Sequence, residues 1–114
     1  MTNNRKTRDA IPYGTLDMLI LKTLSAAKEM HGFQIADYIQ ENTESVLNVE
    51  EGSLYPALQR LLMQGWVTAV WGRTEENRRA RYYRLTPAGR RQLEREMEKY
   101  YRLTQAIGRI LQPA

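Results

Sequence analysis

The stretch Glu51-Gly52-Ser53-Leu54-Tyr55-Pro56-Ala57-Leu58-Gln59-Arg60-Leu61-Leu62-Met63-Gln64-Gly65 runs on through Trp66 to Trp71. A polar connection then leads to Arg78-Arg79-Ala80-Arg81-Tyr82-Tyr83-Arg84-Leu85-Thr86. Leu54, Leu58, Leu61 and Leu62 recur at helical spacing and predict a helix over about Ser53 to Gln64, stopped by Gly65. Proline lacks an amide hydrogen, which is harmless only in the first helical turn. A Ser53 N-cap therefore puts Pro56 at the third helical position. Trp66 to Trp71 and Arg81 to Leu85 are rich in aromatic and β-branched residues and predict the two strands of a hairpin. A short helix followed by a β-hairpin is the order of a winged helix-turn-helix.

Working outward, Pro12 marks the entry to a first helix reaching about Ala27. Leu16, Leu19, Ile20, Thr23, Leu24 and Ala27 form its stripe, and Met18 and Leu21 lie off it. A helix apolar on more than one side is buried on more than one side, here between its own domain and a partner. Met30-His31-Gly32 reads as a break, with His31 fixing the turn. A second helix follows from Gly32 to Asn42, with Phe33, Ile35, Ala36 and Ile39 inward, and Glu44 to Glu51 is a loop. Thr86-Pro87 is a cap followed by proline at the first helical position, opening a last helix that runs to about Leu111. Along it Leu93, Met97, Tyr100, Thr104, Ile107 and Leu111 alternate spacings of four and three, the pattern of a seam for another helix. The fold class is thus α+β, mostly α: a disordered basic arm over 1–9 with Arg5, Lys6 and Arg8, a winged-helix domain over 10–86, and a C-terminal dimerisation helix over 87–114.

The 114 residues allow one small domain. With no cysteine and a single histidine, disulfides, thiolate metal sites and most acid–base constellations are excluded. Glu50, Glu51, Glu75 and Glu76 make no convincing carboxylate pair, so we expect no enzyme, no metal and no cofactor. The longest apolar run, Met18 to Leu21, is far too short to span a bilayer, and the N-terminus is polar rather than signal-like. A cytoplasmic protein with no membrane partner is expected.

Charge is unevenly spread. Residues 1–59 carry five basic and eight acidic side chains, whereas residues 60–114 carry twelve basic and five acidic ones. Thirteen of the seventeen basic residues are arginine, the side chain suited to forked phosphate and guanine contacts. With the leucines inward, helical rotation leaves Ser53, Pro56, Gln59, Arg60 and Met63 outward and Tyr55 on the flank, where polar side chains can meet base edges. Arg78, Arg79 and Arg81 cluster at the hairpin and suit phosphates or a minor groove. The plainer readings are a solvated helix face and a charged tip that keeps a sheet edge from aggregating. Trp66 and Trp71 read as hairpin core. Helix 2 offers no cation, so binding should lean on the wing and the N-terminal arm.

Several motifs in order resemble the PadR transcriptional regulators. Tyr13-Gly14-Thr15-Leu16 with Leu19-Ile20-Leu21 and Leu24, then His31-Gly32-Phe33, are similar to the family's first two helices. Gly52-Ser53-Leu54-Tyr55-Pro56-Ala57-Leu58 with Leu61 and Gly65-Trp66-Val67 resembles its recognition helix and turn. Tyr82-Tyr83-Arg84-Leu85-Thr86-Pro87-Ala88-Gly89 resembles its second wing strand and the start of its last helix. The resemblance implies a homodimeric repressor of the short form. Such a protein binds double-stranded DNA at a pseudo-palindromic operator through Ser53, Tyr55, Pro56, Gln59, Arg60, Arg78, Arg79 and Arg81, and pairs through the last helix. It also permits a small-molecule effector, unidentified, in a pocket between helix 1 and the last helix, across the two-fold. The aromatic platform of some short relatives has no tryptophan here, only Tyr100 and Tyr101. The rival expectation is a winged helix that binds proteins rather than specific DNA.

Overall fold

The computed structural model describes Ile11 and residues 14–113. The arm over 1–9 and the placement of Pro12 lie outside the described residues. In chain order the elements are α1 (Thr15–Ser25), β1 (Met30–His31), α2 (Gly32–Asn42), α3 (Glu51–Met63), β2 (Val67–Arg73), β3 (Arg79–Leu85) and α4 (Pro87–Leu111). The three helices and the wing follow the expected order. Met30-His31, however, is more than a break. It pairs antiparallel with β3, Met30 opposite Tyr83 and His31 opposite Tyr82, giving a sheet ordered β1-β3-β2.

The core lies where α1, α2 and α3 meet the sheet. Ile20, Leu21 and Leu24 from α1, Ile35 and Ile39 from α2, and Leu54, Ala57, Leu58 and Leu61 from α3 are all buried, closed off by Val67, Tyr83 and Leu93. Each large aliphatic side chain so buried contributes about 1.5–3 kcal/mol. Met18 and Leu21 are buried as their pattern demanded, within the chain's own elements. Helix α1 is also shorter than expected, ending at Ser25 rather than Ala27.

Helix α3 starts earlier than the proline suggested. The Glu50 carbonyl accepts bonds from Ser53 N at 3.0 Å and Leu54 N at 2.9 Å, so Glu50, not Ser53, is the N-cap. Pro56 is then the sixth helical residue and deletes the bond that position would make to the Gly52 carbonyl. Tertiary burial of Leu54, Ala57 and Leu58 outweighs that loss. Gly65 at φ 76° turns the chain out of the helix.

Helix α4 opens as its sequence predicts. Thr86 Oγ1 accepts from Gly89 N at 2.9 Å and donates to the Gly65 carbonyl at 2.8 Å, with Pro87 at the first helical position. The expected seam is divided. Leu93 is only 4% exposed and belongs to the chain's own core, and Met97 packs against that core. From Glu98 onward every described residue of the helix is exposed, including Tyr100, Thr104, Ile107 and Leu111. The helix outgrows its domain: 25 residues span about 37 Å, and its first three turns, to Met97, are the part that packs on the core. No described helix is long and apolar enough to cross a membrane.

Candidate nucleic-acid interface

The wing is a regular ladder from Val67 opposite Leu85 to Arg73 opposite Arg79. Its tip closes on Asn77, which takes φ 64° so that Thr74 N can donate to the Arg78 carbonyl at 2.9 Å and Asn77 N to the Thr74 carbonyl at 2.8 Å. Asparagine tolerates this left-handed conformation better than most residues. Arg73 Nη1 donates to the Asn77 carbonyl at 2.9 Å, and Tyr82 Oη donates to the Arg73 carbonyl at 3.0 Å. The tip is therefore tied down by its own side chains.

Alternation sorts the arginines. Arg79 and Arg81 share a face with Tyr83 and Trp71, whereas Arg84 lies on the opposite face and pairs with Glu29 at 2.9 Å. Trp71 is not hairpin core as its size suggested. It is 60% exposed and lies outside the core cluster, with the Arg79 and Arg81 guanidiniums over its ring. Tyr83, two residues nearer the domain, is buried. Burial raises its phenol pKa above the usual value, with the Arg81 charge acting in the opposite sense.

Between the wing and the helices runs an open groove of about 800 Å³. Tyr55 and Gln59 reach it from α3, and Arg78, Arg79 and Arg81 from the wing. Five of the eight residues expected at DNA thus converge on one concavity. The start of α2 forms its floor, where a Cβ on Gly32 would stand 2.8 Å from Tyr55 Oη and push that side chain aside. His31 N donates to Gln34 Oε1 at 3.0 Å, a bond of the backbone that caps α2, and the His31 ring meets Tyr82 edge-on.

The remaining three residues sit elsewhere. Ser53 and Pro56 are exposed on α3 but do not line the groove. Arg60 is exposed, as the helical rotation expected, but stands outside the groove. Its guanidinium grips Asp17 of α1, Nη2 to Oδ1 at 2.8 Å and Nε to Oδ2 at 3.3 Å. One helical step of 100° carries residue 60 from the groove side, where Gln59 stands, to the α1 side. Phe33 errs the other way: expected inward, it is 61% exposed and lines the groove beside Tyr55. Glu76 also lines the groove and offsets part of its positive charge.

Three helices, a basic β-wing and an exposed face on the third helix define the class: a winged-helix DNA-binding protein. Residues 20–95 match the transcriptional regulator PadR-like family. A transcriptional regulator from Clostridium thermocellum superposes with a TM-score of 0.77 at 29% identity, over 84% of this chain and 92% of that one. A PadR family transcriptional regulator from Eggerthella lenta gives 0.75 at 27% identity, over 89% and 85%. PadR from Bacillus subtilis, solved in complex with operator DNA, shares the fold at a TM-score of 0.66 and 24% identity, over 76% of this chain and 48% of that one. The chain belongs to the PadR-like family of transcriptional regulators, which are not enzymes.

Proposed function

We propose that this regulator is a homodimeric repressor that binds a pseudo-palindromic operator, with α3 in the major groove and the wing on the backbone. The observation that carries this reading is the convergence of Tyr55 and Gln59 with Arg78, Arg79 and Arg81 on one open groove. Gln59 can bond a base edge in the bidentate manner that suits adenine, and the arginines match phosphates. Pairing is assigned to the exposed half of α4, where Tyr100, Leu103, Ile107, Ile110 and Leu111 leave apolar surface in water. The B. subtilis complex supports the reading at the level of fold. A hollow of about 500 Å³ between α1, α3 and α4, lined by Asp17, Leu21, Arg60, Trp66 and Glu96, is where a small-molecule effector would sit.

Selection of bound sequences from random duplex DNA tests the reading and yields the operator. On that operator and a scrambled duplex, Gln59→Ala should cost ~1–3 kcal/mol on the operator only and relax one base position. Arg78→Ala should weaken both alike and lower the salt slope by ~1. Should Gln59→Ala weaken both equally while Arg78→Ala affects the operator alone, helix and wing have the opposite roles. No enrichment at all would favour a protein-binding winged helix.

A further inference from the structure

Trp71 stands on β2 outside the buried core, yet its ring is not bare. The Arg79 guanidinium carbon lies 4.4 Å from the ring centroid and that of Arg81 5.7 Å, and Arg81 also stands 5.9 Å from the Tyr83 ring. The register produces this. Trp71 faces Arg81 directly across the ladder, and Arg79 follows two residues earlier on the same face. The Nε atom of Arg81 is buried with no hydrogen-bond partner among the described residues. Ring faces, rather than an oxygen, hold that part of the side chain.

We infer that Trp71 is a positioning residue for DNA binding: it holds Arg79 and Arg81 at a preset spacing along the wing before DNA arrives. The inference rests on the function proposed above. An arginine free in solvent loses rotamer freedom when it grips a phosphate, and that loss subtracts from affinity. A guanidinium laid on an indole has already lost it. A guanidinium held over a ring still has terminal N–H donors to offer phosphate oxygens, the buried Nε of Arg81 excepted. The strand beneath is equally prepared, since the Arg73 and Tyr82 hydrogen bonds pin the tip that Trp71 adjoins.

Calf-thymus duplex DNA, bound by the full chain at several salt concentrations, provides the test. Trp71→Ala retains every cation, so the dependence of binding on salt should keep its slope while affinity falls about five- to tenfold. Trp71→Phe keeps a ring face and should recover most of the loss. In an Arg79→Ala/Arg81→Ala background, removing Trp71 should change nothing further. An equal loss in that background would show the ring touching DNA itself and overturn the positioning role, as would no loss in the single variant. If removing both arginines leaves affinity and slope untouched, the wing does not grip DNA and the functional reading beneath has failed. Should Trp71→Ala not fold, proton shifts of the wild type decide: ring-current displacement of the Arg79 and Arg81 side-chain protons, absent from Arg102, is expected, and ordinary shifts overturn the inference.

Discussion

A methyl group added at Gly89 would strike the Trp66 carbonyl oxygen and come within 2.8 Å of Leu85 Cδ1. The obstacle is backbone, which cannot swing aside as a side chain can. Gly89→Ala should therefore destabilise the fold by about 1–3 kcal/mol or more, although alanine is the better helix former. Urea unfolding checks this, and an unchanged midpoint would mean that α4 docks differently. Tyr83 makes a second prediction at this scale. The folded chain holds the phenol proton more tightly than the unfolded chain, whose tyrosines ionise near 10.0. That stabilisation is whole below the unfolded value and is lost as pH rises through the higher folded value. Stability should decline above about pH 10, and Tyr83→Phe should remove that part of the decline in unfolding measured from neutral to alkaline pH.

At the scale of elements, α4 serves two surfaces in series. Its first turns are roof to the core, and the rest projects. Leu93→Asp would bury a charge with no partner, at a cost of several kcal/mol, and should abolish folding. Ile107→Asp with Leu111→Asp alters residues that the chain's own core does not use. That double variant should keep native circular dichroism and sediment as a monomer. Stable dimers would refute the seam. The same contrast explains the divided heptad. Spacing of four and three marks one face of a helix, and along this face the neighbour changes from α1 to open solvent after Met97.

The whole molecule is elongated. Its radius of gyration is 15.9 Å and its extents 55 × 37 × 21 Å, against about 13 Å for a compact domain of this length. The exposed half of α4 contributes to the difference, and the proposed two-fold pair would set its two α3 helices one DNA turn apart, roughly 34–36 Å. Inserting about half a turn between the half-sites of a selected operator should place them on opposite sides of the duplex. Affinity should then fall ~10²-fold or more toward that of a single half-site, and an unaffected affinity in gel-shift titration would exclude paired binding. Much of this architecture was legible in the residues. Local signals sufficed where neighbours in sequence are neighbours in space: the Thr86-Pro87 cap, the Gly65 stop, the leucine stripe of α3 and the arginine-dense hairpin. Contacts distant in sequence did not announce themselves. The pairing of Met30-His31 with β3, the capture of Arg60 by Asp17, the outward turn of Phe33 and the exposure of Trp71 were settled only by packing. A periodic pattern says which side of an element is apolar. What stands opposite that side depends on how the elements assemble, and that is a property of the folded chain alone.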